Sequence, residues 1–292
     1  MYAVRAEWKK FFTFREVHVG LALAVGILLW GILPMAQTIF GLSRGSLPMR
    51  DQSGMFWVGI YNFNFNVASI LILFLQVAGL SRLFCCEWDG QTGCLLRTSR
   101  SGIRSTFKGK VLLGLGYSVV TSLLPGILAF LFYAVLYGGV PTPFERGQSA
   151  SWLGVSGIPL WDGAIPLGLW AWEMLFSLLG GLCAAGLVML VSALFRRPAA
   201  AMAVSAVCLA LPAVLRVGVV RFNSLFTIPL LNPVIYFLSI LGGISWHSIL
   251  TYDHQLLGEE GAFLWRPILY CLCLLGVELA LAWAAWNRRA RR

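Results

Sequence analysis

The chain has 292 residues, of which 59% are hydrophobic and 12% charged, a balance that excludes an ordinary soluble domain, where about a quarter of residues are charged. Its 22 Lys and Arg outnumber its 12 Asp and Glu, for a net charge of +10. That excess flanks apolar runs, so membrane orientation and anionic lipid account for it and no nucleic-acid partner is required.

Residues 1–16, MYAVRAEWKKFFTFRE, mix Trp8, Phe11, Phe12 and Phe14 with Arg5, Lys9, Lys10 and Arg15. This composition predicts a helix lying in the membrane interface, rings in the acyl boundary and charges among the head groups. Six apolar runs come next, over 17–40, 56–80, 111–137, 165–195, 199–219 and 265–286. Each is close to the roughly 20 residues that cross about 30 Å of hydrocarbon. The first lacks an A-x-A cleavage pattern after it and reads as a retained span, not a signal peptide.

Within the second run, Asn62, Asn66, Ser69 and Gln76 fall on one face of a continuous α-helix, and Asn64 falls off it. Such a polar stripe faces other helices or a wet path, because lipid cannot satisfy it. The fourth run carries Glu173 and the small-residue pairs Gly180/Ala184 and Gly181/Ala185, which let helices approach closely. Arg216, late in the fifth run, falls near the level of Glu173, where it either pairs with that carboxylate or stands just above the hydrocarbon unpaired, and Glu278 lies inside the sixth. These three ionisable residues join the stripe as candidates for lining a translocation path. Pro125 and Pro212 are expected kinks.

A seventh apolar run, 225–244, is broken by Pro229 and Asn232-Pro233. With six crossings, residues 1–16, 81–110, Arg196-Arg197 and the tail NRRARR share one side and hold 16 of the 22 Lys and Arg. That side is the cytoplasm, and a seventh crossing would move the basic tail outside. Residues 220–264 are therefore expected to form an outer region with a re-entrant hairpin.

Enzyme motifs do not emerge. Ser156 lacks the final Gly of a nucleophile elbow, and His18, His247 and His254 form no metal motif. The seven cysteines lie in spans or on the cytoplasmic side and suit packing better than disulfides. The sequence contains no G-x4-G-K-[ST] phosphate loop. No metal, cofactor or catalytic residue is expected in this chain.

Residues 81–110 form a polar, basic, Gly-containing interruption long enough to have a structure of its own. The array Glu87, Gly90 and Thr92, then Leu95-Leu96, then Ser99-Arg100, Gly102 and Arg104, with Lys108 or Lys110 leading into the next span, resembles the loop between the second and third helices of type-2 ABC exporter permeases. The resemblance implies an all-α integral membrane protein, a single permease domain over 1–292 with six transmembrane helices, in a bacterial plasma membrane with both termini cytoplasmic. It implies that Glu87 through Arg104 carry a coupling helix that docks on a separate ATP-binding-cassette ATPase. That ATPase would bind the ATP and Mg, and a second permease subunit, identical or different, would complete the complex. The competing expectation is a secondary transporter using Glu173 or Glu278 as a proton or ion site, and an integral-membrane enzyme is a third, without supporting residues.

Overall fold

The structure is a computed structural model that describes residues 2–43, 53–89, 102–141, 165–211 and 265–291. Among the described residues there are helices and turns and no strand, as lipid requires, since a helix satisfies its own backbone. In chain order the helices are α1 (Tyr2–Phe11), α2 (Arg15–Ser43), α3 (Ser53–Phe63), a π-helical turn (Asn64–Ala68), α4 (Ser69–Leu80) and the short α5 (Cys86–Asp89). They continue with α6 (Gly102–Leu136), α7 (Pro166–Leu194), α8 (Pro198–Leu211) and α9 (Trp265–Arg291).

Among the described residues, three helices are long and apolar enough to cross a membrane: Gly102–Leu136, Pro166–Leu194 and Ile268–Ala290. The other expected spans coincide with helices, 17–40 within α2, 56–80 within the continuous α3, π turn and α4, and the first part of 199–219 with α8. The expected outer region 220–264 and the end of the fifth run lie outside the described residues. Residues 102–110, expected in the polar loop, are instead the first turns of α6, because nothing from Ile103 to Leu124 breaks a helix before Pro125.

The helix ends are set by local chemistry. Gly138 and Gly139 have φ of 69° and 145°, and their N–H groups reach Val135 O at 3.2 Å and Ala134 O at 2.8 Å. This is a Schellman closure of α6, which a left-handed glycine permits. Pro166 opens α7 at its first turn, where a missing N–H costs nothing. At the other end of α7 the Arg289 guanidinium donates to Phe195 O at 2.8 Å and to Leu194 O. A cation on these unpaired carbonyls also opposes the helix dipole.

Helix α7 is the centre of the bundle and packs on α9, α6 and α4, while α2 lies on α4 and α1 crosses α6. Close approach depends on small residues: Gly181 faces Ser122, Gly114 faces Met189, and Gly59 and Gly79 lie under the rings of Tyr133 and Tyr117. Ala184 and Ala185 are buried beside them, so the small-residue pairs expected in the fourth run do bring helices together. Two apolar clusters bracket the bundle. Near the root of residues 81–110, Phe84 meets Trp286 and Phe107 meets Trp283 edgewise while Phe84 and Phe107 are tilted, with centroids 5.0 to 5.5 Å apart. At the opposite end Phe56, Trp57, Tyr61, Tyr133 and Phe176 form a second core. There Trp57 Nε1 donates to Pro141 O at 3.0 Å and the Tyr61 hydroxyl to Pro166 O at 2.9 Å.

The glycine contacts make a paired test. A Cβ at Gly79 would come within 2.5 Å of the Tyr117 ring, whereas one at Gly116 meets nothing within 4 Å. Gly79→Leu is expected to destabilise the detergent-solubilised protein by about 1–3 kcal/mol through overpacking. Gly116→Ala should instead be neutral or gain up to ~1 kcal/mol of helix propensity. Thermal unfolding of the two variants checks both.

Candidate functional site

The polar interruption is rooted in a buried ion network. After α4 the chain turns through residues 81–85, and the Phe84 N–H donates to Ser192 Oγ of α7 at 2.9 Å. That bond presses the turn against the bundle and delivers Glu87, on α5, beneath α1. Glu87 is 4% exposed and Lys110, in α6, is 0% exposed. Lys110 Nζ lies 3.1 Å from Glu87 Oε1 and 3.1 Å from Glu7 Oε2, and it donates to Leu83 O at 2.7 Å. An ammonium has three donors, and these three acceptors suffice for them. Lys10 Nζ approaches the same Glu87 Oε1 at 2.6 Å.

One turn away, Arg82 pairs with Glu16 at 2.6 Å and lies 4.9 Å above the Phe14 ring. Three ion pairs, Lys10–Glu87, Lys110–Glu87 and Lys110–Glu7, are linked through shared residues, and Arg82–Glu16 stands beside them. The linked carboxylates Glu7 and Glu87 are matched by the ammonium groups of Lys10 and Lys110. That balance matters, since an unpaired buried ion costs several kcal/mol. The neighbouring Cys86 thiol is 3.5 Å from Lys110 Nζ. Burial pushes that thiol above its ordinary range, against the pull of the Lys110 and Lys10 ammonium groups.

The coupling residues inferred from the resemblance divide into three sets. Glu87 turns its carboxylate inward, onto Lys10 and Lys110. Gly102 and Arg104 open α6, Gly102 half-buried and Arg104 exposed. Gly90, Thr92, Leu95, Leu96, Ser99 and Arg100 lie outside the described residues.

The polar stripe of the second run changes more. It presumes a continuous α-helix, but Asn64–Ala68 form a π turn, which inserts a residue and rotates the helix beyond it. Asn64, which a straight helix puts off the stripe, is 4% exposed and its Nδ2 donates to Glu173 Oε2 at 3.1 Å. Its carbonyl accepts both the N–H and, at 2.9 Å, the hydroxyl of Ser69. Gln76 is enclosed: Nε2 donates to Ser118 Oγ and Thr121 Oγ1 of α6, each at 3.0 Å. Gln76 therefore ties α4 to α6, while the Ser69 hydroxyl bonds back onto the π turn of its own helix. Asn62 and Asn66 belong to α3 and the π turn, and their side chains lie outside the described residues, as does Arg216, and with it the question of a pair with Glu173.

Glu278, 4% exposed, presses its carboxyl against Gly186 of α7, and its Oε2 has no hydrogen-bond partner among the described residues. Also among the described residues, no group of three His, Cys, Asp or Glu side chains is arranged to hold a metal. The sequence reading missed Asn64, Glu7, Lys10 and Ser192. Glu7 and Lys10, three apart on α1, were legible as a same-face pair, but their buried partners were not. No family model matches the chain, and no curated protein matches it.

Burial sets the expected cost of removing each pair. Lys110→Ala leaves Glu7 and Glu87 without their buried partner and should destabilise by about 3–5 kcal/mol, whereas Arg82→Ala, in a pair about one-third exposed, should cost roughly 0–1 kcal/mol. The raised Cys86 pKa carries its own sign: the neutral thiol is the buried form, so its contribution is intact below the ordinary thiol pKa of 9.0 and is lost as pH rises beyond it. Chemical unfolding of Lys110→Ala and Arg82→Ala, and of wild type against Cys86→Ala across alkaline pH, measures these differences.

Proposed function

We propose that this chain is the membrane-spanning permease subunit of an ATP-binding-cassette exporter in a bacterial plasma membrane. It crosses six times, with a hairpin between the fifth and sixth spans, an interfacial α1 and both termini in the cytoplasm. The carrying observation is the 3.1 Å pair between Glu87 and Lys110. It draws the two ends of residues 87–110 together and clamps them between α1 and α6. A polar segment held in this way at both ends can transmit force, as a freely hinged loop cannot.

In this reading Gly90, Thr92, Leu95, Leu96, Ser99 and Arg100, with the exposed Arg104, face the ATPase, and Glu87 anchors them from behind. The ATPase supplies ATP and Mg, and a second permease copy or a different permease chain completes the path. ATP biases the permease between inward-open and outward-open forms only if the ATPase grips this segment differently in the two. The three apolar helices and the basic flanks support the membrane setting, and the array Glu87 to Arg104 supports the partner.

A second reading, a secondary transporter, draws on Glu278, whose buried Oε2 lacks a partner among the described residues, and on Glu173. Such carboxyls inside a membrane often mark ion paths.

Co-reconstitution with its ATPase in proteoliposomes separates the two. The exporter reading expects transport that requires ATP and survives collapse of the proton gradient. Arg100→Glu should reduce permease-stimulated ATP hydrolysis by about tenfold, the scale of a typical coupling energy, without loss of folded protein. Transport abolished by a protonophore and indifferent to ATP would sink the exporter reading and favour the second.

A further inference from the structure

The carbonyls that end α7 bring basic residues from two distant parts of the chain together. The Arg289 guanidinium, in the last turn of α9, donates to Phe195 O at 2.8 Å and to Leu194 O. Phe195 O belongs to the peptide bond that leads into Arg196, and Arg196 and Arg197 are both exposed. Arg196 and Arg289 are close enough for their like charges to repel. Helix α8 starts directly after them at Pro198, so the positive end of its dipole adds to the same surplus. Among the described residues none of these arginines has an ion pair, because Glu7, Glu16 and Glu87 are taken by Lys10, Lys110 and Arg82.

The surroundings of this pair say what neutralises it. Leu194, whose carbonyl takes one of the Arg289 bonds, is 50% exposed. On α9 the exposed residues Leu281, Ala284 and Arg288 follow at helical spacing on one face. That face is apolar until its last turn and basic there, the pattern of a helix passing from hydrocarbon into head groups. A guanidinium matches a phosphate with parallel N–H donors, as a lysine ammonium does not. The two carbonyl bonds of Arg289 also leave further N–H groups of its guanidinium free to donate. We propose that Arg196 and Arg289 form a binding subsite for the phosphate of an anionic phospholipid. The phosphate accepts from both guanidinium groups, and an acyl chain lies against the exposed side of Leu194. A bound phosphate relieves the repulsion between the two arginines and so strengthens the bridge from α9 to the end of α7. The subsite depends on the membrane setting alone and stands whichever energy source drives transport.

The test uses the full chain in a nonionic detergent and native mass spectrometry with phosphatidylglycerol. Phosphatidylcholine of the same acyl chains is the neutral counterpart, and glycerol 3-phosphate is the head-group phosphate without chains. Wild type should retain phosphatidylglycerol well above both. Arg196→Gln removes one exposed charge and should weaken that retention by about fivefold, the scale of one arginine at a membrane surface. Lys108→Gln removes one exposed charge from α6 and should leave it unchanged. Equal retention of phosphatidylcholine, unchanged retention by Arg196→Gln, or an equal loss in Lys108→Gln would each overturn the proposal. Displacement of the lipid by glycerol 3-phosphate at equal concentration would overturn it in favour of a free phosphate site. Loss of ATPase binding by Arg196→Gln with lipid retention intact would assign the arginines to a protein partner instead. The lipid measurements contain no ATPase, so their failure leaves the exporter reading standing.

Discussion

The structure turns on one buried ammonium. Lys110 sits near the start of α6, just before its long apolar stretch, fully enclosed and in hydrogen-bond reach of Glu7, Glu87 and the Leu83 carbonyl. An ion in that position is tolerated only while every partner is present. Each partner comes from a different element: α1, α5 and the turn after α4. Meeting the needs of a single side chain therefore fixes where α1 crosses α6, how tightly the turn after α4 is drawn in, and where the polar segment begins and ends.

Above that foot the bundle is held by different means. With lipid as solvent, burying apolar surface gains little between helices, so close contact and internal hydrogen bonds take over. Gly181 against Ser122 and Gly114 against Met189 provide the contact. Gln76 bridging Ser118 and Thr121, and Tyr117 donating to Leu75 O at 3.0 Å, provide the bonds. Gln76 Oε1 and Ser122 Oγ are nonetheless buried without a hydrogen-bond partner among the described residues. Asn64 Oδ1 and Glu278 Oε2 are likewise buried without partners among the described residues.

How much of the fold was legible in the sequence depends on the range of the forces involved. The helices were legible because a run of about 20 apolar residues is a local signal. The small-residue pairs of α7 were legible for the same reason. The register of the second run was not: periodicity assigns Asn62, Asn66, Ser69 and Gln76 to one face only if the helix is regular, and the π turn at Asn64–Ala68 breaks that premise and brings in Asn64. Composition showed residues 81–110 as polar and basic, yet the last of them are the first turns of α6. The pairing of Glu87 with Lys10 and Lys110 depends on tertiary packing between distant residues, which no spacing rule encodes. Burial turns the Glu87 carboxylate inward onto Lys10 and Lys110, a direction its sequence neighbourhood does not reveal.

The central claim is that Glu87 and Lys110 close the root of this segment as one energetic unit. A double-mutant cycle with Glu87→Gln, Lys110→Met and the double variant, read by unfolding in detergent, measures that directly. The account predicts a coupling energy of about 1–3 kcal/mol, as expected for residues sharing one buried network. Additive effects of the two substitutions would contradict it.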